Sequence, residues 1–184
     1  MRKTVFFLIL ASLVLVLPLS AGGGDYRFSL TGGYNSPYNN DVMESNFSLG
    51  ASFRFWGIFN LGAVMYTEII EGGDNIFNIQ RIDPLGIFSV GLGVRIPMGE
   101  NIGIVFDNQN FYRGFGSDQG VYSFSDSWKV GVNLDLSETF GIEIYKRRLY
   151  DFSDEALSDP DSPLSGTPPE EGIDIIGIGF IIYL

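Results

Sequence analysis

The chain has 184 residues, 11 Lys and Arg against 22 Asp and Glu, and neither Cys nor His. Those counts exclude a disulfide scaffold and a Cys/His zinc module, and a net charge of −11 excludes a basic nucleic-acid binder. Apolar residues at 45% beside charged residues at 18% exclude a disordered chain and do not suit a soluble domain with a charged surface.

At the start, Arg2 and Lys3 precede an apolar run from Val5 to Leu19, and Leu19-Ser20-Ala21 leads into Gly22-Gly23-Gly24. A short basic segment, an apolar core and small residues at its end predict a signal peptide over 1–21. The run has 15 residues including Pro18, short of the roughly 20 that a spanning helix needs. Without Cys there is no lipid-anchor site, so residues 22–184 are expected to enter the periplasm, the outer membrane or the medium as one domain.

From there the pattern has a period of two and marks eight strands in chain order. The first sets Tyr26, Phe28 and Leu30 against Arg27, Ser29 and Thr31, and the second sets Phe47, Leu49, Ala51, Phe53 and Phe55 against Asn46, Ser48, Gly50, Ser52 and Arg54. The third alternates Phe59, Leu61, Ala63 and Met65 with Asn60, Gly62, Val64, Tyr66 and then Glu68. In the fourth, Phe88, Val90, Leu92, Val94 and Ile96 oppose Ser89, Gly91, Gly93 and Arg95. A fifth places Ile102, Ile104 and Phe106 against Gly103, Val105 and Asp107, and a sixth places Trp128, Val130, Val132 and Leu134 against Lys129, Gly131, Asn133 and Asp135. The seventh has Phe140, Ile142 and Ile144 opposite Gly141, Glu143 and Tyr145, with Arg147 beyond. The last has Ile176, Ile178, Phe180, Ile182 and Leu184 opposite Ile175, Gly177, Gly179, Ile181 and Tyr183. Successive side chains of a strand point to opposite faces, so one face is apolar and uncharged while the other holds the charges among Gly and Ser.

Connections alternate in length. Trp56 to Ile58, Pro97 to Asn101 and Ser137 to Thr139 are short, whereas Asn35 to Ser45, Ile70 to Gly86, Asn108 to Ser127 and Tyr150 to Gly172 are long. This alternation, the even strand count and the full-size residues on the uncharged face predict an all-β fold, an eight-stranded antiparallel up-and-down transmembrane β-barrel. Small residues suit a narrow interior, large ones face lipid, and first and last strands pair because lipid cannot hydrogen-bond an open edge. Tyr26, Phe55, Trp56, Phe59 and Phe140 gather near the short turns and Phe47, Phe88, Trp128 and Tyr150 near the long loops, as two interfacial girdles do.

At this point the mature chain resembles the small eight-stranded outer-membrane barrels of the OmpX, OmpW and OmpA membrane-domain type. The C-terminal strand carries the most specific part of the likeness. Gly179, Phe180, Ile182, Tyr183 and Leu184 are similar to the terminal signal read by the outer-membrane insertion machinery, although this chain ends in Leu where the family usually has Phe. The resemblance implies the outer membrane of a diderm bacterium, with membrane lipids and the insertion machinery as partners. Enzymes on similar barrels rely on a catalytic histidine, which is absent here, so no enzymatic activity and no cofactor are expected.

The candidate functional residues are the lumen charges. Arg27, Arg54, Arg95, Asp135 and Glu143 are expected near the short-turn end, and Glu68, Asp107, Lys129 and Arg147 nearer the long loops. Each tier mixes signs, so guanidinium forks can pair with carboxylates as a plug, or rearrange as a gate. An eight-stranded interior is just wide enough for side chains to fill, which favours the plug. The acidic tract 149–172, with Asp151, Asp154, Asp159 and Asp161, lacks the spacing of a calcium loop and reads as a solvated loop. Val121 to Asp126 keeps the strand period, so the third hairpin is expected to extend outward. Its aromatics Phe111, Tyr112 and Phe115 then either bind a partner by strand addition or pack on one another.

Three functions compete. The first is a monomeric surface or structural barrel, with its loops open to an extracellular ligand and no role for nucleic acid. A narrow pore or lateral-exit channel of the OmpW kind is favoured by the inward apolar residues Val64, Val105, Ile175 and Ile181. A soluble lipocalin-like carrier would need the Phe-rich face inside.

Overall fold

The computed structural model describes residues 26–38, 45–56, 58–71, 79–114, 120–160, 162, 164 and 172–184, with backbone alone at 67–71 and 79–85. The expected signal segment 1–21, Phe115 and Asp161 lie outside the described residues, as does the side chain of Glu68. Eight strands follow in order: β1 (Arg27–Tyr38), β2 (Asn46–Phe55), β3 (Phe59–Glu71), β4 (Ile79–Pro97), β5 (Ile102–Arg113), β6 (Tyr122–Asp135), β7 (Phe140–Tyr150) and β8 (Ile173–Tyr183). Among the described residues one short helix, α1 (Asp154–Ser158), lies between β7 and β8. Each strand pairs antiparallel with the next and β8 pairs with β1, so the expected closed eight-stranded up-and-down barrel is the fold.

Register sets the shape. The pairings Arg27 to Arg54, Asn60, Gly93, Asp107, Lys129, Arg147 and Ile175 return to β1 at Pro37. That is a stagger of 10 residues (37 − 27), and for eight strands it means a tilt of roughly 40°. Paired residues therefore climb the barrel: Arg27 stands at the short-turn mouth while Arg147, on the same row, stands well toward the long loops.

The strands are longer than the simple alternation marks. β1 runs on to Tyr38, β3 to Glu71, and β4 already begins at Ile79, so the described residues of the loop expected over Ile70 to Gly86, 70–71 and 79–86, are strand. The alternation is hidden there because the β3–β4 register shifts between Met65 and Thr67 and again between Ile70 and Glu71, next to a left-handed Gly86 (φ 67°). The third hairpin extends as expected, to Arg113 on β5 and from Tyr122 on β6. Its period, however, is broken: Phe111 pairs with Ser125 and Tyr112 with Ser123, leaving Phe124 as the extra residue of a bulge. One inserted residue reverses the facing of everything beyond it. Tyr122 and Phe124, outward on an unbroken count, turn inward and are buried beside Phe111.

The acidic tract is not a solvated loop over its first half. The Ser153 hydroxyl caps α1 by accepting from the Ala156 amide at 3.1 Å, and Asp154 and Glu155 stand in the first turn, where the helix dipole favours negative charge. Five residues are far too few to hold a helix alone. Burial holds it: Ala156 and Leu164 pack with Tyr66, Ile87, Phe111, Phe124, Leu149 and Ile173 into an apolar cluster at the long-loop end.

The wall has the polarity of a membrane barrel. Leu49, Leu92 and Ile178 are 65%, 62% and 53% exposed, whereas Arg95, Glu143 and Arg147 on the opposite face are buried. Phe55, Trp56 and Phe59 contact one another at the short turns, and Phe88 stacks on Tyr112 near the long loops, centroids 5.4 Å apart.

Candidate functional site

The lumen is built in three tiers. At the short-turn mouth, Arg95 donates from Nε to Asn133 at 2.9 Å and pairs with Asp135 at 3.0 Å. It can lie across β5 because position 103 is glycine; a Cβ there would stand 2.6 Å from Arg95 Nε. The Tyr183 hydroxyl donates to Asp135. Arg27 and Arg54 approach the Tyr183 ring, and Arg54 Nε donates to Asn60 at 3.1 Å.

The middle tier joins four charges. Lys129 Nζ lies 2.8 Å from Asp107 and 2.6 Å from Glu143, and Arg147 lies 3.4 Å from the second oxygen of Asp107. Arg147 also donates to Gln109 at 2.9 Å and Ser127 at 2.8 Å, and Ser89 donates to the same Gln109 oxygen at 2.8 Å. With two cations and two anions the tier is neutral, which is the condition for burying charge at tolerable cost. The Tyr145 ring lies beneath Lys129 at 5.0 Å, covers Gly177, and sends its hydroxyl to Asn35 on the far side. Asn35 in turn donates to Asn46 at 2.9 Å and Ser48 at 3.2 Å.

Above these sits the apolar cluster, latched by a buried polar trio. Asp159, 1% exposed, faces Arg113 Nε at 3.3 Å and accepts from the Tyr122 hydroxyl at 2.8 Å. Burial, then the hydrogen bond and charge of Asp159, push the Tyr122 hydroxyl well above its ordinary value, with Arg113 acting against them. Tyr122 belongs to the part of β6 beyond the bulge, where it meets the cap rather than the wall.

Most expected lumen residues face inward and come together, with one correction. Glu143 is a partner of Lys129 in the middle tier and does not belong to the short-turn tier. The tilt lifts β7 relative to β1 and β2, so a residue low on β7 stands level with Asp107. Glu68 pairs through its backbone with Asn46 and Asp83. At the C-terminus, Gly179 pairs with Gly33, the Phe180 ring covers Gly32, and the Leu184 amide donates to the Phe28 carbonyl at 3.0 Å, closing the barrel. Phe180 and Ile182 face outward, while Tyr183 faces inward and works in the lumen. Tyr145, Gln109, Asn133 and Tyr183 are lumen residues that a search for charges misses, although their shared phase with the charges marks them. The Arg113–Tyr122–Asp159 latch has no such signal.

A cavity of about 110 Å³ remains between the charged wall of β5–β7 and the Gly- and Ser-rich wall of β1–β4. Among the described residues no cluster of ligating side chains could hold a metal ion.

No family model matches the sequence, and no curated protein matches it. Among solved structures the chain is similar to the N-terminal β-barrel domain of Pseudomonas aeruginosa OprF. The identity is 10% and the TM-score 0.51, over 88% of this chain and 100% of that one. It is also similar to a de novo designed transmembrane β-barrel (7% identity, TM-score 0.47, 88% and 98% covered) and to Ail, the attachment invasion locus protein of Yersinia pestis (10%, 0.42, 88% and 99%). The likeness to the OprF domain shows a shared eight-stranded barrel fold.

Proposed function

We propose that the chain is exported to the outer membrane of a diderm bacterium and serves there as an integral β-barrel with a surface or structural role. Its lumen is filled by side chains, its short turns face the periplasm and its long loops face outward. One observation carries this reading: the belt of exposed Leu, Ile, Val and Phe wraps a wall whose other face buries Arg95, Glu143 and Arg147. In water such a belt exceeds the apolar patch that a soluble protein tolerates. A lipocalin-like carrier needs the opposite facing. The expected outcome is heat modifiability, with boiled and unboiled samples migrating differently in mild SDS, together with extraction by detergent but not by carbonate. Identical bands and release by carbonate would refute the membrane barrel.

A narrow pore is the second reading. The cavity beside Asp107 and Lys129, lined also by Val64, Val105 and Ile181, favours it; the cap over the long-loop end and the neutral ion-pair tier favour closure. Planar-bilayer recording of the inserted chain separates the two, with silence expected and discrete steps moving the assignment to transport. Catalysis has no place in the proposal, since no histidine is present to act as a base near neutral pH. Partners in this reading are membrane lipids, the insertion machinery and a ligand of the outward loops.

A further inference from the structure

The short-turn mouth of the lumen carries positive charge that pairing inside the barrel does not use. Arg27 and Arg54 are direct register partners, so their side chains leave the same face from neighbouring positions, where like charges repel. Their guanidinium carbons lie 4.0 Å and 5.7 Å from the centroid of one ring, Tyr183, and so within 9.7 Å of each other. Among the described residues neither has a carboxylate partner: Arg27 donates to the Glu138 backbone carbonyl at 2.6 Å, and Arg54 Nε to the Asn60 amide oxygen. Asp135, the half-buried carboxylate of this tier among the described residues, is already engaged by Arg95 and Tyr183. A chain with twice as many acidic as basic residues thus leaves two guanidinium forks side by side with donors to spare.

Beside Arg54 the cavity of about 110 Å³ is lined on this wall by Ser29, Thr31, Ser52 and Asn60 and on the other by Asp107 and Glu143, both held by Lys129, while Arg27 does not line it and closes on Arg54 from the mouth. One water takes about 10–15 Å³ of such volume, so a phosphate or carboxylate group has room. Guanidinium forks bind such groups bidentately, and one oxyanion shared by two forks holds their carbons no more than about 8 Å apart, which the Tyr183 ring contacts allow. The Ser29 and Ser52 hydroxyls, 2.8 Å apart, spend one O–H on each other and leave one donor on the same wall.

We propose that Arg27 and Arg54 form an oxyanion-binding site at the short-turn mouth, taking a phosphate or carboxylate group from the aqueous side. The test is an NMR titration of the refolded chain, labelled at arginine, in phosphatidylcholine nanodiscs with inorganic phosphate. Saturable movement of the Arg27 and Arg54 Nε–H resonances is expected, with Arg147 in the middle tier as an unmoved reference. Arg54→Gln weakens binding by about tenfold, the loss of one bidentate pair, and Arg54→Lys, which keeps the charge without the fork, weakens it less. A second sample with phosphatidylglycerol and no phosphate separates the sources, since movement there alone would assign the pair to a lipid headgroup and overturn the site. A linear response matched by chloride at equal ionic strength would overturn it as well. The titration of the unsubstituted chain decides the matter by itself, so the test stands even where a variant fails to fold.

Discussion

Lys129→Met removes the hub of the middle tier. The lysine stands 2.8 Å from Asp107 and 2.6 Å from Glu143, and the three side chains are 13%, 9% and 12% exposed. After the change Asp107 keeps Arg147 at 3.4 Å, while Glu143 has no cation within 4 Å among the described residues. Two contacts at 2.8 and 2.6 Å are each worth about 6 kcal/mol at an effective dielectric constant near 20, before the desolvation of the ammonium is subtracted. Stranding one member of a buried pair costs about 3–5 kcal/mol after that subtraction. Equilibrium unfolding in lipid vesicles, followed by the fluorescence of Trp56 and Trp128, reads the loss directly. Adding Glu143→Gln removes the stranded charge and should restore all but about 1–2 kcal/mol. A loss below about 1 kcal/mol in the single variant, the range of solvent-exposed pairs, would show that water screens this tier and would refute the filled lumen.

Other outcomes follow from the wall and the cap. Leu92→Arg, at a site 62% exposed on the apolar face, should cost about 2–4 kcal/mol near the midplane in the same assay; a neutral effect would mean the faces are reversed. Asp159→Asn removes the buried carboxylate that faces Arg113 beneath the cap and should weaken local closure by about 2–3 kcal/mol, read as faster proteolysis of the 151–164 segment with global unfolding little changed. The Tyr122 hydroxyl titrates above its ordinary value in the folded protein. Its contribution to cap stability is therefore complete below the unfolded value of about 10 and is lost as pH rises through the folded one. Proteolysis of the cap should accelerate over that alkaline window, and Tyr122→Phe should abolish the acceleration; equal pH profiles for the two would disprove the latch.

Local chemistry made the barrel readable from the sequence. Phe47 to Phe55 and Trp128 to Leu134 alternate because a strand in this wall has an apolar outer face on one side and a narrow polar interior on the other, and each residue records its own environment. Turn and loop lengths then supplied the topology, since Trp56 to Ile58 has no room for anything but a tight return. The phase of the charges also placed Arg95, Asp107, Lys129 and Arg147 in the lumen. Which of them touch is a different kind of fact. The Lys129–Glu143 pair depends on a 10-residue stagger accumulated over eight pairings, and no single segment encodes that sum. The bulge at Phe124 shows the same limit, because an inserted residue in a Tyr-Ser-Phe-Ser run leaves the composition unchanged while turning two aromatics inward. The acidic tract shows it most plainly. Asp154, Glu155 and Asp159 have the composition of a solvated loop, and only the packing of Ala156 and Leu164 on Phe111 and Phe124 brings Asp159 down onto Arg113 and Tyr122. Alternation is written residue by residue, whereas burial of a polar group requires that distant strands first agree on where its partner stands.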